Sequence, residues 1–171
     1  MKRLLFAAAV SLLTATSAMA QTVIIVRHGE KVDASADPAL SEAGQARARA
    51  LAAELTEAHP SVILTSPLQR TRLTAAPTAD YHSVTSEAVP LDGGAGAHVA
   101  AIAARVRALP EDATVLIVGH SNTVPLIARA LGYAEAADMP ECEYDRMTVL
   151  HLNGDAAHGV VTRYGEPTTC P

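Results

Sequence analysis

Three short runs of aliphatic and β-branched residues constrain this 171-residue chain more than any other feature. They lie at residues 23–28 (VIIVRH), 61–65 (SVILT) and 114–118 (TVLIV). Continuous apolar runs of this length are typical of strands that are buried on both faces of a sheet. Because a helical stretch follows each run, the sequence predicts a three-layer α/β/α sandwich around a mostly parallel central sheet.

Polar residues mark where the intervening helices are expected to begin. Ser41 is the predicted N-cap of a helix that reaches residue 59, with Arg47 on its solvent face. Ser66, followed by a proline, predicts the start of a second helix. Ser121 or Asn122 is expected to cap a later one, which gives two helix N-termini at the ends of predicted strands.

The remaining segments are weaker or differ in type. Residues 84–91 predict a third strand that Pro90 interrupts, and residues 97–109 predict an amphipathic helix. Residues 147–152 and 159–164 flank an Asn-Gly-Asp turn, which predicts a C-terminal antiparallel hairpin.

The first twenty residues have the order of a secretory signal peptide. A short basic start, Lys2-Arg3, precedes an apolar run at residues 4–13 and the small-residue site Ala18-Met19-Ala20. The apolar run has about half of the roughly 20 residues that span a bilayer, so no stable membrane anchor is expected. We therefore expect a signal peptide at residues 1–20, a single domain at residues 21–171, and a periplasmic or secreted location.

Removal of that segment changes the charge. Loss of Lys2 and Arg3 leaves 11 basic against 18 acidic residues, a net charge of −7, and the basic residues are ten arginines and Lys31. This acidic balance and the absence of Trp argue against a nucleic-acid partner.

Two cysteines remain, Cys142 and Cys170. In an oxidising compartment we favour a disulfide between them, with two separate thiols as the alternative.

Histidines and arginines cluster around the carboxyl ends of the predicted strands. Arg27 and His28 end the first, Arg70 follows the second, and His120 follows the strand at 114–118. In open α/β sheets the ligand binds beyond this edge. The four side chains and the nearby helix N-termini would together favour an anion with several oxygens.

Four motifs in this order resemble the histidine phosphatase superfamily, the phosphoglycerate mutase-like proteins. They are Arg27-His28-Gly29-Glu30, Leu40-Ser41-Glu42-Ala43-Gly44-Gln45-Ala46, Thr65-Ser66-Pro67-Leu68-Gln69-Arg70-Thr71 with Thr74-Ala75, and Val118-Gly119-His120-Ser121-Asn122-Thr123. The resemblance extends from residue 23 to about residue 164 and is greatest to short exported members of the family.

The resemblance implies a role for each of the four side chains. His28 matches the nucleophile that forms a phosphohistidine, which water then hydrolyses. Arg27, Arg70 and His120 match the residues that bind the phosphoryl oxygens and offset their charge. The resemblance implies neither a metal nor another cofactor, and the other histidines lack metal-ligand spacing.

The general acid that protonates the leaving oxygen is less well defined by the sequence. In the family a carboxylate after the third strand usually supplies the proton, and here Asp92 is preferred over Glu87 because it lies at the exit of that strand. His98 either lines the pocket or lies on the surface of the following helix. An asparagine that many relatives carry after the first motif is absent, with Lys31 or Ser35 as substitutes.

The expected function is hydrolysis of a small phosphorylated substrate through a phosphohistidine on His28. The alternative is a non-catalytic, periplasmic phosphate-binding protein of the same fold, which keeps the pocket without an effective acid. Activity toward a chromogenic phosphomonoester separates the two.

Overall fold

The structure, a computed structural model, describes residues 20–170, so the predicted signal peptide lies outside the described residues except for Ala20. The elements alternate as predicted. They are β1 (Gln21–Arg27), α1 (Glu42–Glu54), β2 (Val62–Thr65), α2 (Gln69–His82), β3 (Ser86–Ala88), α3 (Gly94–Arg107), β4 (Thr114–Gly119), α4 (Val124–Ala130), β5 (Arg146–Asn153) and β6 (Ala156–Arg163).

The strands within residues 20–170 form one six-stranded sheet with the order β3-β2-β4-β1-β5-β6. The β1, β2, β3 and β4 strands are parallel, and β5 pairs antiparallel with both β1 and β6. The Gly154 residue, with φ of +61°, lies in the turn between β5 and β6. The predicted mostly parallel sheet with a C-terminal hairpin is therefore confirmed.

The alternation of side chains along β1 divides the interior into two cores. Val23 and Ile25 pack with residues of α3 and α4 such as Ile102 and Ile127. Ile24 and Val26 pack on the other face against α1 and α2, as do the matching residues of β2 and β4. Because both faces of the sheet are covered by helices, the three-layer prediction is also confirmed.

Several details of the predicted elements are wrong. The α2 helix begins at Gln69 rather than after Ser66, and α4 begins after Thr123 rather than after Ser121 or Asn122. Arg47 was expected on the solvent face of α1 but is buried. The third strand has three residues instead of eight; Pro90, just beyond it, has no N–H to donate to a neighbouring strand.

The C-terminal segment is tied to the loop before β5. Cys142 and Cys170 form a disulfide, which confirms the predicted pairing.

Within residues 20–170, no helix has the length and apolarity needed to cross a membrane.

Candidate active site

The ends of three adjacent strands bring the predicted site residues to one edge of the sheet. Arg27 pairs in register with Gly119, so His28 and His120 emerge side by side, with ring centroids 5.3 Å apart. Ser66, which follows β2, hydrogen-bonds through Oγ to His120 Nε2 at 3.0 Å. The first, third and fourth sequence motifs therefore meet at a single location.

The His28 ring is held with one nitrogen free. Its Nδ1 donates to the Gly29 carbonyl oxygen at 2.8 Å, and since a carbonyl only accepts, Nδ1 carries the proton. Burial lowers the pKa of His28 to about 4, and the charges of Arg27, Arg70 and Lys31 act in the same direction. At neutral pH, Nε2 thus has an unprotonated lone pair, as a nucleophile requires.

His120 is neutral as well. Burial lowers its pKa to about 3, and the charges of His28, Arg70, His98 and Arg27 add to that effect. Two neutral imidazoles avoid the like-charge repulsion that two imidazolium ions would suffer at this separation.

Arg27 is a buried cation held by the loop that precedes β5. Its Nη1 donates to the carbonyl oxygens of Pro140 (3.2 Å), Glu141 (2.6 Å) and Glu143 (3.1 Å). Its guanidinium carbon lies 4.0 Å from the centre of the Tyr144 ring. The Arg27 Nε is buried and has no hydrogen-bond partner within residues 20–170. One donor of an otherwise fully engaged guanidinium is thus left unpaired.

Arg70, in the first turn of α2, also has a terminal nitrogen near protein oxygens and a buried Nε without a partner within residues 20–170. Its Nη1 lies 3.9 Å from the Asp37 carboxylate and 3.4 Å from the Ala36 carbonyl oxygen. Buried donors without partners are uncommon in folded proteins, and two of them beside His28 and His120 indicate a site for an anion.

The second motif supports the loop that carries His28. Ser41 caps α1 by accepting from the Gly44 N–H, and its backbone N–H donates to the Glu30 carbonyl oxygen at 2.9 Å. The Glu30 carboxylate pairs with buried Arg47, with a shortest N–O distance of 2.7 Å. Gly29 and Gly44 pack closely, and a Cβ on Gly29 would lie 2.8 Å from the Gly44 carbonyl oxygen. This buried pair explains why Arg47 does not face water.

Neither predicted carboxylate contacts the two histidines. Asp92 lies in an exposed turn between β3 and α3, and no hydrogen bond or ion pair joins it to another side chain of the described residues. Glu87 forms an exposed ion pair with Arg105, with Oε2 3.0 Å from Nε. His98 is fully buried, donates from Nδ1 to the Pro90 carbonyl oxygen at 3.0 Å, and has no partner for Nε2 within residues 20–170. Of the two positions that the sequence left open for His98, the one on the surface is thus wrong.

The substitutes for the absent asparagine differ in position. Lys31 is close enough to the site for its charge to lower the pKa values of both His28 and Glu141. Ser35 instead lies in an exposed loop, where its backbone N–H donates a hydrogen bond to the Asp33 carboxylate.

Sequence reasoning missed Glu141 and Tyr144. The Glu141 carboxylate accepts from Arg27 Nη2 at 2.8 Å and from the Ser121 hydroxyl, and the Tyr144 ring lies 6.2 Å from that of His28. Both residues belong to a loop without helical or strand periodicity. The sequence feature that could have pointed to this loop is Cys142, which lies between the two residues.

Nothing in residues 20–170 brings three His, Cys, Asp or Glu side chains together in a group that could hold a metal ion.

Known proteins resemble this chain in both sequence and fold. The family model of the histidine phosphatase superfamily (branch 1) matches residues 23–91. Phosphoserine phosphatase 1 of Hydrogenobacter thermophilus is 43% identical over 65 residues, which are 34% of this chain and 31% of that protein. The match thus spans about a third of the length of this curated relative.

Two solved structures share the fold. The candidate phosphohistidine phosphatase SixA of Nakamurella multipartitia is 26% identical with a TM-score of 0.59, covering 86% of this chain and 96% of its own. The protein histidine phosphatase SixA in complex with tungstate is 21% identical with a TM-score of 0.62, covering 84% and 95%.

Proposed function

Because the chain belongs to the histidine phosphatase superfamily, we propose that it hydrolyses phosphomonoesters through a phosphohistidine on His28. The observation that carries this proposal is the free Nε2 of a neutral histidine beside two arginines whose Nε donors are buried and unpaired within residues 20–170. A phosphoryl group supplies the acceptors that those donors lack, and it places phosphorus next to the nucleophile.

In the first step, the His28 Nε2 lone pair forms a bond to phosphorus while the bond from phosphorus to the ester oxygen breaks. The leaving oxygen takes a proton from the general acid. Arg27, Arg70 and His120 donate hydrogen bonds to the phosphoryl oxygens, and the two arginines offset the charge of the transition state.

In the second step, a water oxygen attacks phosphorus and the bond to Nε2 breaks, which releases inorganic phosphate. The general acid, now deprotonated, takes the proton from that water. We assign this role to Asp92 because it follows β3, whose carboxyl end lies on the same edge of the sheet as those of β1, β2 and β4.

The relatives named above act on different phosphorylated groups, phosphoserine in one case and phosphohistidine in the other. Because only one of these groups is a phosphomonoester, we carry over no individual compound from the relatives, and our proposal of a phosphomonoester rests on the site itself.

The test is hydrolysis of p-nitrophenyl phosphate by the purified protein between pH 4 and pH 8. We expect turnover by the wild type, background rates for His28→Ala, and wild-type rates for His158→Ala, an exposed histidine of β6. Rapid acid-free quenching should trap phosphate on His28. Equal inactivity of wild type and His28→Ala, with inorganic phosphate still bound in calorimetry, would instead support a non-catalytic phosphate-binding protein.

We further propose that the chain is exported and that cleavage leaves Gln21 at the mature N-terminus. The signal-peptide pattern of residues 1–20 supports this, and a disulfide is a bond that oxidising compartments preserve. Cell fractionation with N-terminal sequencing of the purified protein tests it. Recovery from the cytoplasm with residues 1–20 attached would refute it.

A further inference from the structure

Glu141 is an exposed carboxylate that borders the candidate active site. One of its oxygens accepts from Arg27 Nη2 and the other from the Ser121 hydroxyl, yet 80% of the side chain is exposed. Arg27 and Ser121 directly adjoin His28 and His120 in the sequence. The carboxylate therefore lies where a substrate bound to those residues would meet solvent.

A cavity of about 200 Å³ has this carboxylate in its wall. Its walls include Ser121, Asn122, Leu126, Met139, Asp138 and Glu141. The cavity shares Ser121 and Glu141 with the site, so it is suitably placed for the alcohol portion of a bound phosphomonoester.

The charge of this cavity differs from that of the phosphoryl site. Its lining includes two carboxylates and no basic residue. Asp138 is paired with Arg129, with 2.7 Å between Oδ1 and Nη2, whereas Glu141 has Arg27 as its cation. When a phosphoryl dianion binds Arg27, the single positive charge of Arg27 is shared between the phosphoryl group and the Glu141 carboxylate. The Glu141 carboxylate is then left with excess negative charge toward the cavity.

The geometry points to a substrate class. Resting on the proposed function, we infer that Glu141 selects phosphomonoesters whose alcohol carries an ammonium group, and that its carboxylate accepts hydrogen bonds from that ammonium. The cavity has room for a short amino alcohol, and its negative charge disfavours an alcohol that bears a carboxylate or a second phosphate.

The state of Glu141 supports recognition of a cation. The hydrogen bond from the Ser121 hydroxyl lowers the pKa of Glu141, and the charges of Arg27 and Lys31 lower it further against the opposing effect of burial. The group thus stays ionised at neutral pH. Lys31 forms no ion pair with Glu141 among the described residues and is not part of the cavity lining.

The test compares two phosphomonoesters of nearly equal shape, O-phosphoethanolamine and n-propyl phosphate. The first carries an ammonium where the second has a methyl group. The measured quantity is the ratio of their kcat/KM values, in which general losses of activity cancel. Glu141→Gln removes the charge and keeps the shape, and Glu135→Gln makes the same change at an exposed position of the same loop.

We expect wild type and Glu135→Gln to prefer phosphoethanolamine, and Glu141→Gln to lose that preference by about five- to tenfold, mainly through KM. A ratio that Glu141→Gln leaves unchanged would overturn the inference. One such outcome is that Glu141→Gln lowers kcat equally for both alkyl phosphates and leaves kcat for p-nitrophenyl phosphate unchanged. That pattern would indicate that Glu141 acts as a general acid.

Binding separates this inference from the proposed function. Calorimetry of both phosphates on His28→Ala, with and without Glu141→Gln, measures selection without turnover. Suppose that the wild type hydrolyses neither phosphate, yet phosphoethanolamine binds more tightly than n-propyl phosphate and this difference depends on Glu141. That result would refute the proposed phosphatase activity but would support the selection of an ammonium group by Glu141. Equal binding of the two phosphates would refute the selection.

Discussion

His28, the proposed nucleophile, has a neutral ring of fixed orientation before any substrate binds. Its Nδ1 proton is held by the Gly29 carbonyl oxygen, and burial keeps the ring neutral. The sequence predicted His28 as the nucleophile but did not predict the protonation state of its ring, because that state depends on burial and on a backbone contact that arises only in the folded chain.

The first prediction concerns this titration. Because the pKa of His28 is lowered to about 4, its ring should remain neutral at pH 5.5 and gain a proton only near pH 4. NMR of the ring resonances against pH measures this directly, and the signals that His28→Ala removes provide the assignment. A midpoint near 6.5, the ordinary value for histidine, would contradict the environment described here.

A second residue-scale prediction tests the general acid. Asp92→Asn should lower kcat by about 10²-fold for n-propyl phosphate, whose leaving oxygen needs a proton. It should have much less effect on p-nitrophenyl phosphate, because nitrophenolate leaves readily without one. Glu87→Gln is the matched control, since Glu87 lies on β3 in an ion pair with Arg105.

Equal losses on the two substrates, or none on either, would remove the assignment from Asp92. His98 would then be the next residue to test, because its buried Nε2 has no partner within residues 20–170 and its charge affects His120.

At the scale of elements, the first turn of α1 fixes the position of the loop that carries His28. Gly44 packs directly beneath Glu30, and a Cβ at this position would lie 2.9 Å from the Glu30 backbone nitrogen. The neighbouring atoms are backbone and cannot rotate away. The close approach of these two segments therefore depends on the lack of a side chain.

We therefore expect Gly44→Ala to lower the free energy of unfolding by about 1–3 kcal/mol and to reduce turnover by displacing the loop of His28. Gly96→Ala is the control. It lies within α3, and apart from its chain neighbours and its own helix backbone no atom of residues 20–170 lies within 4 Å of the added Cβ, so this variant should raise stability by about 0.4–1 kcal/mol. Chemical unfolding and p-nitrophenyl phosphate assays measure both effects, and equal behaviour of the two variants would contradict the packing described here.

The elements that the sequence predicted best are those with a periodic pattern. The strands β1, β2 and β4 are apolar on both faces, and the turn at Gly154 identified the hairpin. The start of α2 was misplaced because the Ser66 hydroxyl contacts His120 and Thr71 and does not cap the helix. Such use of a capping residue by a distant segment has no local signal.

At the scale of the whole molecule, the loop before β5 completes the site from the far end of the chain. Its carbonyl oxygens surround Arg27 Nη1, and the disulfide between Cys142 and Cys170 ties this loop to the C-terminal segment. Contacts between positions more than 110 residues apart cannot be read from periodicity, which is why the loop was missed while the strand ends were found.

Replacement of both cysteines by serine should lower the free energy of unfolding by about 3 kcal/mol, because the bond closes a loop with a sequence separation of 28. It should also weaken phosphate binding, since the loop that orients Arg27 gains freedom. Thermal unfolding with and without reductant, and calorimetry with inorganic phosphate, measure the two effects. A reductant that changes neither property of the wild type would contradict this coupling.

The position of β1 also determines when the protein can fold during its synthesis. Although β1 leaves the ribosome before the other strands described here, it lies between β4 and β5, so neither neighbour exists until residues 114–119 and 146–153 have been made. An apolar strand without partners cannot form a stable sheet, and pairing across such distances is intrinsically slow. The sheet therefore cannot be completed around β1 until the last third of the chain has been made, and a chain that has not completed its fold can still be threaded through a membrane pore.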